Sequence, residues 1–208
     1  MNPLSRISPG TILELDSEPT GPLIIDGVGC RVRIGKNVDI DARIRIFAQV
    51  SNATIEIGDD CTIGGLIRLV AGDGGLIRIG AGTTFNQVGL SLHEASAIRI
   101  GKDCMFSTDV HMDPSDMHPI FDRATGERIN PAQDIHIGDH VWLSTRVLVL
   151  KGAHIGSGTI VGAGSMVTGV LPSNVLAIGQ PAKVVRENVA WARDMDQAAE
   201  SFAVTAAL

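Results

Sequence analysis

The sequence predicts an all-β chain wound as a single-stranded parallel β-helix, and three observations carry that prediction. An aliphatic residue recurs every six positions at Ile137, Leu143, Val149, Ile155, Val161 and Val167. Small or branched residues fill the fifth place of each hexamer, at Val141, Val147, Ala153, Thr159 and Ser165, and glycine follows the aliphatic at Gly138, Gly156 and Gly162. The composition is 44% hydrophobic but only 3% aromatic, which suits thin stacked layers better than a layered α/β core. In such a repeat each hexamer is one side of a three-sided prism, and three make a coil.

The elements follow in order along a single domain, residues 1–208. Residues 1–33 hold four of the nine prolines and little of the repeat, so they read as an N-terminal cap. The β-helix spans 34–168. Its coils are marked by Ile-Gly pairs starting at Ile34, Ile57, Ile79, Ile100, Ile137 and Ile155, in steps of 23, 22, 21, 37 and 18 residues. The last step equals three hexamers. The earlier steps carry a few extra residues, assigned to corners at 48–53 and 71–76. The step of 37 contains a charged stretch, 111–134, where the hexamer pattern fails. It reads as one coil interrupted by a loop. The residues before the coil starts, Arg33, Glu56, Arg78, Arg99 and His136, fall into one column roughly 5 Å apart, read as a solvated charge ladder. After Val167 the chain leaves the prism as an exit arm, and the Ala-rich tail from Glu187 predicts a C-terminal helix.

Formal net charge is −6, which argues against a nucleic-acid partner. No apolar run is long enough for membrane insertion, and the N-terminus lacks a secretory pattern, so a cytoplasmic location is the default. Cys61 and Cys104 occupy fifth places of the repeat, and all three cysteines, Cys30 included, read as small core residues.

The interruption is where chemistry is expected, because irregular insertions on a rigid repeat carry function. It holds His111 and His118, and His118 precedes Pro119, which stiffens its backbone. His136, His140 and His154 fall on faces or corners and read as surface. His93 sits in a corner loop and is given no role.

Four stretches, SDMHPIFDRATGERINP, IGDHVWLS, IGSGTIVGAGSMVT and IGQPAKVV, make the chain resemble the hexapeptide-repeat O-acetyltransferases, a group that includes galactoside, maltose, nodulation and polysaccharide-biosynthesis enzymes. The loop looks most like that of members acting on surface polysaccharides. The resemblance implies a left-handed β-helix, a homotrimer with sites between subunits, and acetyl-CoA as co-substrate with no metal. It implies a saccharide or other small-molecule acceptor. It makes His118 the general base; among the other loop residues, His111 is read as the stand-in and Asp116 as orienting the base or contacting the acceptor. A sugar hydroxyl must lose its proton as it attacks a thioester, and an imidazole accepts protons near neutral pH. The donor positions that match are Trp142, Ser144, Gly162, Ala163 and Thr168 along the coils, with Lys183 and Arg186 for the nucleotide phosphates. Gly169 stands where several relatives carry lysine, and Ser144 replaces a common glycine. Rival readings are an antibiotic acetyltransferase of the same fold, a γ-type carbonic anhydrase, and a non-catalytic β-helix scaffold. The anhydrase needs three imidazoles on zinc, and HIGDH (136–140) lacks a third partner at that family's spacing.

Overall fold

The computed structural model describes residues 2–196. Eight parallel strands stack into the first face of a prism: Ile12–Leu15, Arg31–Ile34, Thr54–Ile57, Leu76–Ile79, Ala97–Ile100, Ile135–Ile137, His154–Ile155 and Val170–Leu171. Along it Leu15, Ile34, Ile57, Ile79, Ile100, Ile137, Ile155 and Leu171 are successive rung partners. From Ile34 onward all of them are buried. Strand side chains alternate between faces, so Glu14, Arg33, Glu56, Arg78, Arg99, His136 and His154 form one outward column. Arg78 pairs with Glu56 at 2.6 Å and Arg99 with Asp134 at 2.7 Å, in the open. Exposed pairs of this kind contribute little to stability.

The other two faces merge into one 13-stranded sheet, because Thr62–Leu69, Thr84–Leu92 and Met105–Asp113 continue round the edge between them. The second face buries the column Ile40, Ile63, Phe85, Phe106, Leu143, Val161 and Ala177. The third buries Leu23, Ile44, Ile67, Leu90, Met112, Val149 and Val167. Every aliphatic and every fifth-place residue of the C-terminal hexamers points into this core. The cysteines are buried and free, and burial pushes the Cys104 thiol up to about 11.

The Ile-Gly pairs have a steric cause. A Cβ on Gly101 would stand 2.5 Å from the carbonyl group of Gly138, one coil on. Two residues further the chain turns the edge in the left-handed region, at Asn37, Asp60, Gly82, Asp103, His140, Gly158 and Asn174. Asn, Asp and Gly are the residues that adopt it most readily; His140 is the exception. The extra corner residues are themselves ordered: Val50–Ser51 and Gly72–Asp73 pair in parallel.

Ile100 is the direct partner of Ile137, so the step of 37 is a single coil carrying the loop. The ladder reaches beyond 34–168 at both ends. Arg6–Ile7 already pairs with Leu23–Ile25, and Val175–Gly179 still pairs with Ile160–Val161. Proline and extra corner residues hide the hexamer in the first coils without disturbing strand alignment. The exit arm then folds back antiparallel, Ala182–Glu187 on Val175–Gly179.

The expected C-terminal helix is absent among the described residues; the part of it at 197–208 lies outside them. Tertiary contacts set the path of 188–196. The Trp191 ring stacks on His140 at 4.1 Å, and its indole N–H donates to the His140 carbonyl at 2.9 Å. Arg193 bonds Asp103 at 2.9 Å and the Cys104 carbonyl at 2.9 Å. No helix among the described residues is long and apolar enough to cross a membrane.

Candidate active site

Most of the interrupting loop is exposed, but Ser115, at 4%, and Asn130, at 5%, are buried. They anchor it. Ser115 shares a short hydrogen bond with Glu94 and accepts the Met117 N–H at 3.1 Å. Arg128 grips both oxygens of Glu94, at 2.6 and 2.7 Å, in the bidentate geometry that fixes orientation. This guanidinium, ahead of Ser115, holds the Glu94 carboxyl below the usual carboxylate range. Asn130 accepts the Ile120 N–H at 2.6 Å and donates to Asp116 at 2.8 Å and to the His118 carbonyl at 2.9 Å. Beyond this anchor the loop is a small hairpin, bridged at Phe121 and Arg128 and turned around Asp122.

His118 therefore rides on a fixed backbone. Its N–H donates to the Asp116 carbonyl at 2.7 Å, its carbonyl is held by Asn130, and Met117 before it takes φ 64°. Its imidazole is exposed at the mouth of the loop. Asp116 turns its carboxylate to Lys151 and Asn130, and the Lys151 bond, then Asn130, hold its pKa down. It secures the loop to the next coil and makes no bond to the His118 ring.

Beside the loop, the outer surface of the third face carries a second polar group that the sequence reading passed over. Arg68 and Ser91 are rung partners joined by a 2.9 Å hydrogen bond, and Asp113 continues their column one residue past the Leu90–Met112 pair. His111 packs over its partner Gly89, where a Cβ would stand 2.6 Å from the ring. Arg68, Ser91, Gly89 and His111 line a cleft of about 370 Å³ with Gly65, Leu66, Gln87 and Asp109, and Asp113 stands just beyond it. A shallower cleft continues from Gly65 and Leu66 past Arg43 to Pro22. Two buried atoms at the loop end of this surface have no partner: His93 Nε2 and Asp113 Oδ1. An unpaired buried polar atom costs about 1–3 kcal/mol. Burial and then Arg68 push the His93 pKa down, His118 also opposing its charge, while burial raises that of Asp113. His93 follows Thr84–Leu92 and Asp113 ends Met105–Asp113, and only the stacking of those two strands brings them together, so no local pattern marked them.

The other matched positions lie elsewhere on the prism. Trp142 is on the second face between Met105 and Ile160, its indole N–H buried and unpartnered. Ser144 and Ala163 sit at the edge between second and third faces. The Ser144 N–H donates to Val161 at 2.9 Å, and the Gly164 N–H to Thr145 at 2.9 Å. Gly162 admits Ile178, whose methyl would stand 2.6 Å from a Cβ there. Thr168 is exposed at the turn after the third face, and Lys183 and Arg186 are exposed on the exit arm beside Ile178 and Leu176. A single chain thus separates the His118 loop from Trp142 by the width of a face. His136 and His140 also diverge: the first stacks on His154 at 5.8 Å, the second on Trp191.

A prism of six-residue sides, broken once by an anchored loop with an exposed histidine, defines a hexapeptide-repeat transferase. Residues 134–169 match the family described as bacterial transferase hexapeptide (six repeats). A polysialic acid O-acetyltransferase of Neisseria meningitidis is 37% identical over 175 residues, 83% of this chain and 80% of that one. A polysialic acid O-acetyltransferase of Escherichia coli O1:K1 / APEC is 38% identical over 125 residues, 60% of this chain but 41% of that longer protein. The crystal structure of the polysialic acid O-acetyltransferase OatWY has a TM-score of 0.78 at 33% identity, covering 92% of this chain and 88% of that one. This chain belongs to the hexapeptide-repeat O-acetyltransferase family, and it is an O-acetyltransferase.

Proposed function

We propose that the protein transfers an acetyl group from acetyl-CoA to a hydroxyl of an anionic saccharide polymer of the polysialic acid type. The observation that carries this reading is the His118 loop, locked by Asn130 and Asp116 and entered just past His111, which lines a cleft together with Arg68. Arg45 and Arg68 are rung partners and Arg43 lies two residues before Arg45, so cations recur along the third face on successive coils. That suits a chain of carboxylates, and the two polysialic acid relatives point the same way.

His118 takes the proton of the acceptor hydroxyl as its oxygen attacks the thioester carbonyl carbon. The tetrahedral intermediate collapses with loss of the coenzyme A thiolate, which receives the proton from the imidazolium. A backbone N–H at a coil edge holds the oxyanion. No acetylated enzyme forms. The pantetheine arm runs by Trp142, Ser144, Gly162, Ala163 and Thr168, and Lys183 and Arg186 meet the phosphates. Three copies assemble around an axis, so that the His118 loop of one protomer faces the Trp142 groove of its neighbour. The loop hairpin supports this arrangement by holding Ile120, Phe121 and Ile129 51%, 55% and 61% exposed. A cytoplasmic site follows from the use of acetyl-CoA.

The test is thiol release from acetyl-CoA in the presence of polysialic acid, with the product examined for O-acetyl groups and the quenched enzyme for an acetyl adduct. Acceptor-dependent release without an adduct is expected. A stable adduct that turns over with acceptor would defeat direct transfer. Replacing Lys183 and Arg186 by Ala should raise the donor KM far more than it lowers kcat, because the phosphates are remote from the reacting carbon.

A further inference from the structure

His93 Nε2 and Asp113 Oδ1 are both buried and both unpartnered; Asp113 stands one position past Met112 in the column of Arg68 and Ser91, which line the cleft, and His93 follows Leu92 on the neighbouring strand. Buried polar atoms in folded proteins are nearly always paired, so two open ones at one place ask for an occupant. They sit beside groups that are fully used. Glu94, next to His93 in the chain, is taken by Arg128 and Ser115. Ser91 is taken by Arg68. Next to these bonded groups His93 Nε2 and Asp113 Oδ1 are left open, while Arg68 offers a positive charge alongside.

The chemistry at each end is different. A carboxylate oxygen accepts hydrogen bonds, so Asp113 requires a donor such as a hydroxyl or an amide N–H and repels a carboxylate. A guanidinium has only donors, so Arg68 requires an acceptor and favours a carboxylate. A uronic- or sialic-type sugar ring, which carries a carboxylate at one position and hydroxyls at others, offers an acceptor to Arg68 and donors to Asp113.

We propose that His93 and Asp113 are specificity residues for the acceptor, binding hydroxyl or amide groups of the ring whose neighbouring hydroxyl is presented to His118. This rests on the reading of the cleft as the saccharide site. Asp113 and His93 take up ring groups next to the reacting oxygen, Arg68 takes the carboxylate, and together they choose which hydroxyl is acetylated.

The experiment compares wild type with Asp113→Asn and His93→Gln, using acetyl-CoA and polysialic acid. It measures both KM values, the ratio of positional O-acetyl isomers by NMR, acetyl-CoA affinity by calorimetry, and the melting temperature. We expect the acceptor KM to rise at least tenfold, the isomer ratio to shift, donor affinity to stay within twofold, and the melting temperature to hold or rise. The last readout matters because an open buried carboxylate that serves a ligand is a burden on the empty fold. A structural pair, satisfying each other or an ordered water, would give the reverse: a lower melting temperature with acceptor KM and isomers as in wild type. That result overturns the inference while leaving the enzyme's activity in place. Wild-type protein inert toward saccharides would overturn the saccharide reading and this inference with it. If Asp113→Asn does not fold, His93→Gln alone carries the test, with donor affinity reporting its folding.

Discussion

The first and third faces of the prism are built from the same aliphatic repeat, and they differ in what stands on their outer sides. On the first face the inward column runs through eight strands without a register shift, and the outward column is charged and open. On the third face the strands swell, with register shifts near Val88, and the outward side holds the cleft, the unpaired atoms of His93 and Asp113, and the exit of the His118 loop. The same core can thus be finished as an inert wall or as a binding surface. What separates them is whether each polar group outside the core is already satisfied.

Breaking that contrast is a matter of substituting on each side. The largest effect belongs to the loop. His118→Ala should lower kcat by about 10²–10⁴, on the order of 3–5 kcal/mol in barrier, with donor KM and melting temperature unchanged. Near-wild-type turnover would remove His118 from the base role. On the first face the signature should invert. Ile137→Ala, deep in the unbroken column, should cost about 2–5 kcal/mol of stability in denaturant titration, while the surviving folded protein keeps its kcat.

The buried cysteines belong with the core, and pH sharpens that assignment. The folded pKa of Cys104, about 11, lies above the unfolded value of 9.0. The unfolded chain therefore loses the proton first, and stability falls as pH rises between those values. The loss is on the order of 2–3 kcal/mol. Urea midpoints across pH 8–11 should show the decline in wild type and much less of it in Cys104→Ala. A flat wild-type curve would mean the thiol is not held in the dry core.

Loop anchoring predicts a smaller, purely kinetic change. Asn130→Ala frees the His118 carbonyl and the Ile120 N–H together. We expect kcat to fall about tenfold, near 1.4 kcal/mol, with little change in the melting temperature. A large stability loss without a kinetic one would make Asn130 part of the scaffold. Smallest of all, Arg78→Ala removes an exposed partner of Glu56 and should change stability by under about 1 kcal/mol and activity not at all. A greater effect on turnover would make the charge ladder a functional surface after all.

The chain's own letters determined the prism. Spacing alone identified the core aliphatics from Ile137 to Val167, because the six-residue side admits one inward aliphatic per face. The break in that spacing also marked the stretch that bears His118. Other features were decided by tertiary contact. Arg6–Ile7 joined the ladder because pairing needs aligned strands, and the hexamer is hidden there by corner residues. Residues 188–196 follow an irregular path of bends and a turn, held where Trp191 meets the His140 ring. Lys151, Asn130 and Glu94 became the loop's anchors because coil stacking brings together residues 14 to 35 apart in sequence. His93 and Asp113 met in the same way. A repeat records which residues face inward, since burial acts on each rung alike. Which outward groups share a site depends on how many residues each coil spends at its corners, and that is settled only when the coils are stacked.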